Sequence, residues 1–289
     1  VTAGLARADA AWSLPGGEMA LGRPVVMGIL NVTPDSFSDG GRFRLPEPAL
    51  ARAREMVEAG ADIVDVGGES TRPGSAAVSA DEEAARVLPV IALLKQRLDV
   101  RVSADTRKAE VAREALALGA DVVNDVSGLG DPQMASVLAA SDCGVVLMHT
   151  RGTPETMQSL AEYGGVAEEV ASELGSVLDR AIAAGIAAER IVLDPGVGFA
   201  KAGEQNSELI ARLGVLGRLG RPLLLGASRK AFIGHLLGGI AADERDAGTI
   251  GACVAGLARG ARIFRVHDVR SARHALDVAW SILRTPAAQ

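Results

Sequence analysis

The chain has 289 residues, 48% of them hydrophobic and 23% charged, which suits one large globular domain or two small ones. A formal net charge of -6 with no basic stripe leaves no electrostatic footprint for nucleic acid, and no apolar run is long enough to cross a bilayer. Aromatic residues make up only 3%, so the core must be aliphatic.

Residues 1–22 lack a basic start followed by a long apolar stretch, so no signal peptide is expected. This N-terminal segment should either pack over one end of the domain or be partly disordered, and Trp12 reads as a packing anchor. The single domain then runs over 23–289, with no composition break inside it. Val25–Leu30 is the first buried strand. A polar loop follows, Asn31-Val32-Thr33-Pro34-Asp35-Ser36-Phe37-Ser38-Asp39-Gly40-Gly41, dense in oxygen ligands. Helical periodicity over Pro48–Ala59 leads to a strand at Ile63–Val66, and a helix over Ala80–Leu98 leads to Val100–Ser103. The pattern continues with helix Lys108–Leu118, strand Val122–Val123, helix Pro132–Ala140, strand Val145–Met148 and helix Val166–Ala184. Ile191–Leu193, Leu223–Leu225 and Ile263–Val266 complete eight candidate strands, and Trp280 reads as a second packing anchor.

Continuous rather than alternating apolar strands imply burial on both faces, hence a parallel sheet. The junctions repeat: Ala59-Gly60-Ala61-Asp62 returns as Leu118-Gly119-Ala120-Asp121, and Arg259-Gly260-Ala261-Arg262 is a third version. Each glycine fits the left-handed residue that ends a helix. Eight such units predict an α/β fold, a single-domain (β/α)8 TIM barrel, with an open doubly wound sheet as the alternative. Cys143 and Cys253 sit in apolar surroundings without metal-type spacing, as reduced core residues of a cytoplasmic protein would.

Catalytic groups of such a barrel lie at the C-terminal strand ends. Here those positions hold Asn31, Asp65, Asp105, Asn124, His149, Asp194, Ser228-Arg229-Lys230 and Arg265-Val266-His267. Asp105, Asn124 and Asp194 are acceptors suited to a planar heterocycle with several N–H donors. Arg72, Arg265, His267 and Asn31 suit a multiply charged anion such as pyrophosphate. Each residue alone has an ordinary reading. Asp105 and Asp125 could cap the helices that follow them. Asp194-Pro195 is a common turn, Met148 is core by default, and Glu69 could neutralise Arg72 or order its loop. Lys230 at a helix start opposes the dipole there, which argues for a purpose.

The motifs together narrow the choice. Asn31–Gly41, Glu69-Ser70-Thr71-Arg72-Pro73-Gly74, Ser103-Ala104-Asp105-Thr106, Asn124-Asp125-Val126, Leu147-Met148-His149, Asp194-Pro195-Gly196-Val197-Gly198-Phe199, Ser228-Arg229-Lys230 and Arg265-Val266-His267-Asp268 stand in the order found in the dihydropteroate synthases. The chain resembles that pterin-binding (β/α)8 family from about Pro24 to about Leu283. The resemblance implies joining of 6-hydroxymethyl-7,8-dihydropterin diphosphate to 4-aminobenzoate in folate synthesis, by dissociative substitution at the pterin methylene. It implies pterin contacts from Asp105, Asn124, Met148, Asp194 and Lys230, and an Mg²⁺ ligand in Asn31. Arg265 and His267 would hold pyrophosphate, with Thr71, Arg72, Ser228, Phe37 and Phe199 around the aminobenzoate. Catalytic weight would fall on Asp105, Lys230, Arg265 and His267. It further implies a cytoplasmic homodimer that is a sulfonamide target. A methyltransferase using methyltetrahydrofolate shares the Asp/Asn/Asp pocket but needs no anion seat. A non-catalytic pterin-binding paralogue should have lost one of these motifs.

Overall fold

The computed structural model describes residues 11–32, 46–71 and 74–285. Two short strands come first, β1 (Ala11–Leu14) and β2 (Gly17–Ala20), paired antiparallel as a hairpin. The barrel strands are β3 (Val25–Asn31), β4 (Ile63–Gly67), β5 (Arg101–Asp105), β6 (Val122–Asp125), β7 (Gly144–Met148), β8 (Ile191–Asp194), β9 (Leu224–Leu225) and β10 (Ile263–Val266). All eight run parallel in the spatial order β8-β7-β6-β5-β4-β3-β10-β9. A parallel bridge between Leu193 and Leu223 joins the two ends. The sheet therefore closes into a barrel, and the open doubly wound alternative is set aside.

Among the described residues nine α-helices surround the strands. They are α1 (Pro46–Glu58), α2 (Ala80–Arg97), α3 (Ala109–Ala117), α4 (Met134–Ala139), α5 (Val166–Ala183), α6 (Gln205–Ala211), α7 (Ala231–Leu236), α8 (Asp246–Ala258) and α9 (Val269–Arg284). Their apolar stripes meet the outer faces of the strands in the larger aliphatic cluster. Local chemistry sets the helix ends. Ser79 Oγ accepts from the Glu82 N–H at 3.2 Å to start α2, which carries Asp81, Glu82 and Glu83 in its first turn.

The repeated Gly-Ala-Asp junction does two jobs. Gly60 and Gly119 adopt φ of +97° and +92°, which turns the chain from helix to strand. The aspartate then reaches sideways: Asp62 Oδ2 accepts from the Val26 N–H and Asp121 Oδ2 from the Val102 N–H, each at 2.8 Å. Each carboxylate thereby satisfies a strand donor at the barrel's lower rim. In the third copy Arg262 replaces the aspartate, and its guanidinium lies 4.8 Å from the Trp280 ring centroid.

The N-terminal hairpin packs over the lower end of the barrel. Trp12 is fully buried, in a second cluster with Leu14, Leu21, Met27, Ile63, Val122, Val146, Val192, Leu224 and Ile263. Its indole N–H donates to the Arg190 carbonyl at 2.6 Å. A Cβ on Gly144 would lie 2.9 Å from the Trp12 ring, so the glycine at the start of β7 makes room for the plug. Trp12→Ala should cost about 3–5 kcal/mol, and denaturant unfolding of the variant should show a lower midpoint with the site chemistry retained in the folded fraction.

Candidate active site

Pleat alternation decides which side chains enter the barrel. Ile63 belongs to the lower cluster, so Asp65, two residues further along β4, points inward one layer higher and is fully buried. The same count places Asn124 above Val122, Met148 above Val146, Asp194 above Val192 and Arg265 above Ile263. Ser103 is the register partner of Asp65, and Asp105 that of Asn124. An aliphatic layer thus carries a polar one.

Arg265 organises that polar layer. Its Nε donates to Asp65 Oδ2 at 2.6 Å and its Nη2 to Asp105 Oδ2 at 2.6 Å. Asn124 Nδ2 donates to the same Asp65 oxygen at 3.2 Å. The Asp65 side chain is 0% exposed, whereas Asp105 and Arg265 keep 11% and 20% exposure toward the mouth. Burial pushes the Asp105 carboxyl up to about 7, helped by the negative charges of Asp65 and Glu83 and opposed by Arg265 and Lys230. Arg265 is held protonated above its ordinary range: burial works against its charge, but Asp65 and Asp105 outweigh it.

Asp194 ends β8 and is also raised by burial, with the Gly196 N–H, Lys230, Arg265 and Lys201 pulling the other way. Lys230 and Arg265 therefore act on both Asp105 and Asp194, and the four charges share one mouth. The Gly196 N–H donates to Asp194 Oδ1 at 2.7 Å. Gly196 has φ +68°, and a Cβ there would lie 1.9 Å from the His149 carbonyl oxygen, so only glycine lets this loop seat against the end of β7. Met148 is buried beside it.

Lys230 stands just before α7 without a side-chain cap hydrogen bond, and its ammonium lies 4.0 Å from the Phe199 ring centroid. Phe199 and Thr71 line one small cleft with Arg107, Ser127 and Met157. His267 Nδ1 and Ser228 Oγ are 2.8 Å apart, and Ser228 Oγ also accepts from the His267 N–H at 3.1 Å. The hydroxyl fixes the orientation of the imidazole through Nδ1 and leaves Nε2 as its other polar atom. Ser228 thus supports His267 directly. Asn31 is the last residue of β3 and is exposed. Arg72 and Phe37 lie outside the described residues. A larger cavity, about 350 Å³, lies between α1 and the start of α9 and is lined by Arg52, Glu55, Met56 and Asp268 among others, none of them from the polar layer.

Two of the ordinary readings need correcting. Asp125 does not cap a helix: its carboxylate accepts from the Ser127 and Leu129 N–H groups at 2.8 and 2.7 Å and folds the loop between them. The first N–H of α3 goes to Asp131 at 2.9 Å, which frees Asp105 from a capping role. Glu69 orders its loop, accepting from Arg107, from Lys108 at 2.8 Å and from the Val78 N–H at 3.2 Å.

Sequence reasoning gave no role to Asp65 or to Lys201. Asp65 interrupts an apolar strand, which was the available signal. Lys201 follows Phe199 in a loop and reads as a surface lysine, yet it is 2% exposed. Its Nζ contacts His149 Nδ1 and the Phe199 carbonyl, both at 2.9 Å, and His149 Nε2 reaches Glu173 at 3.0 Å. This chain ties the loop after β8 to the end of β7. Burial pushes Lys201 down to about 7. Between pH 7 and its ordinary value near 10.5 the unfolded lysine holds a proton that the folded one has released, so stability should rise with pH across that window. Lys201→Met should abolish that rise, and melting temperatures of both proteins between pH 7 and 10 test it.

The pterin binding enzyme family matches residues 27–267, nearly all of the barrel. The chain belongs to that family. Among its pterin-binding relatives, the dihydropteroate synthase of Synechocystis sp. is 48% identical over 263 residues, 91% of each chain. The barrel also superposes on the Xanthomonas albilineans dihydropteroate synthase solved with 4-aminobenzoic acid, at a TM-score of 0.90 and 42% identity, over 96% of this chain and 99% of that one. The same Xanthomonas enzyme solved with 7,8-dihydropteroate gives a TM-score of 0.87 and 40% identity, over 96% and 100%.

Proposed function

We propose that this pterin-binding barrel is a dihydropteroate synthase, joining 6-hydroxymethyl-7,8-dihydropterin diphosphate to 4-aminobenzoate. The polar layer carries the reading: Asp105, Asn124 and Asp194 face one mouth with Arg265 and Lys230. A carboxylate such as Asp194 meets the 2-amino and N3–H edge of a pterin in two parallel hydrogen bonds. Asn124 completes that edge, and Met148 packs on the ring face. Relatives with this barrel, named dihydropteroate synthases, support the choice of reaction.

The chemistry follows from charge placement. The methylene C–O bond breaks and its electron pair leaves with pyrophosphate. Arg265 and His267 stabilise the growing negative charge. The dihydropterin ring takes up the positive charge, and the Asp105 carboxylate beside it favours that cation. The aminobenzoate nitrogen then forms the new C–N bond and loses a proton. Thr71 and Phe199, which share a cleft, would shape the aminobenzoate wall.

Mg²⁺ is the proposed cofactor. Among the described residues no three His, Cys, Asp or Glu side chains are grouped to hold a metal, so the protein donor would be the Asn31 carboxamide oxygen. Water and substrate phosphate oxygens would complete a shell of the kind Mg²⁺ accepts. When bound, the ion supplies positive charge for the leaving group.

A homodimer is proposed through the late helices. Val278 and Ile282, four residues apart on one face of α9, are 61% and 67% exposed. No described helix is long and apolar enough to cross a membrane. The two cysteines, both free and buried, fit a reducing cytoplasm. One assay tests the function: pterin diphosphate, labelled 4-aminobenzoate and Mg²⁺ should give labelled dihydropteroate. Pterin binding without product would support a binding protein instead, and methyl transfer to a corrinoid protein would support the methyltransferase.

A further inference from the structure

Within the polar layer, the fully buried Asp65 meets two of the groups that reach the mouth. We infer that Asp65 is a positioning residue: it holds Arg265 by its Nε, so that the guanidinium engages Asp105 through Oδ2 alone and leaves Oδ1 to meet the pterin. The inference rests on the dihydropteroate synthase reading. The geometry supporting it is a division of one guanidinium. Nε of Arg265 goes to Asp65 and Nη2 to Asp105, each at 2.6 Å, by bonds to different carboxylates. A guanidinium can instead grip one carboxylate with two parallel bonds. Without Asp65, Arg265 has Asp105 as its remaining hydrogen-bonded carboxylate and can take it in that bidentate grip. Asp105 would then be withdrawn from the substrate, and its charge would be neutralised by a cation it no longer shares.

Asp65 reaches the other side of the pocket as well. The oxygen that accepts from Arg265 also accepts from Asn124 Nδ2 at 3.2 Å. This leaves the Asn124 carbonyl oxygen to be aimed by the same contact. Substrate cannot displace Asp65, because its side chain is 0% exposed. The other carboxylate, Asp105, sits at the mouth with 11% exposure.

The charged groups facing Asp105 are Arg265 from β10, Asp65 from β4, Glu83 from α2 and Lys230 before α7. Asp65→Asn removes one of the two negative neighbours and gives Arg265 wholly to Asp105. The expected result is a pterin diphosphate KM raised about tenfold and an acid limb of kcat/KM moved about one unit to lower pH. An acid limb that stays in place overturns the inference, whatever happens to the rate, because general damage lowers activity without retuning Asp105. Calorimetric binding of pterin diphosphate against pH gives the same midpoint without turnover. If Asp65→Asn fails to fold, Asp65→Glu carries the test: the charge is kept but displaced, so KM should rise with the limb unmoved, and an unchanged KM overturns the inference. Wild-type turnover, measured first, tests the dihydropteroate synthase reading separately.

Discussion

Asp105→Asn should lower kcat about 100-fold or more, in a protein that still folds. The replacement has the same shape and still accepts a hydrogen bond, so what is lost is charge. In the proposed reaction the pterin methylene becomes cationic as pyrophosphate leaves, and a carboxylate beside the ring stabilises that state more than the neutral ground state. Interactions that strengthen only at the transition state appear in kcat. Arg265 keeps its bond to Asp65 in the variant, so the polar layer remains tied together. Steady-state turnover with labelled 4-aminobenzoate provides the measurement. Activity within a few-fold of wild type would falsify the charge-stabilising role and leave Asp105 as a binding group only.

Asp194→Ala should act on binding instead. Truncating the partner of a buried, doubly donating edge costs about 3 kcal/mol, so the pterin diphosphate KM should rise on the order of 100-fold. The loop has other means of staying in place. The His149 N–H donates to the Asp194 backbone carbonyl at 2.9 Å, and Gly196 packs tightly against the His149 carbonyl. Lys201 adds its own tie to His149. Calorimetry with the pterin substrate alone separates the two variants: Asp194→Ala should bind it poorly, whereas Asp105→Asn should keep most of its affinity. Equal affinity of Asp194→Ala and wild type would remove Asp194 from the pterin edge.

Much of this architecture is legible in the chain because its physical signals are local. Uninterrupted runs such as Val145–Met148 announce strands buried on both faces, and the Gly60 and Gly119 junctions announce helix ends. Two features were not legible. The β1–β2 hairpin consists of four-residue strands with a single strong anchor, Trp12, too little for a periodicity. The helices α6 and α7, seven and six residues, are too short to show a clear stripe.

The site divides along the same line. Asp105, Asn124, Asp194 and Lys230 could be picked out because each stands where an apolar run stops. Asp65 also stands among the strand-end positions, but its role as the carboxylate that shares Arg265 with Asp105 was hidden, because that role depends on a residue 200 positions away. Lys201 was hidden for a related reason: a loop lysine is solvated unless tertiary packing encloses it, and only the fold shows that enclosure. The pairing of Ser228 with His267 likewise depends on two loops meeting.

The polar layer across the barrel has a consequence for engineering. Ionised and amide groups occupy an interior that hydrophobic residues could fill, so heat tolerance must come chiefly from the helical shell and from the tryptophan-sealed base. A directed-evolution library aimed at thermostable variants should spare the inward positions of β4, β5, β6, β8 and β10. Diversity belongs in the outer ring, where substitutions leave the reaction chamber untouched.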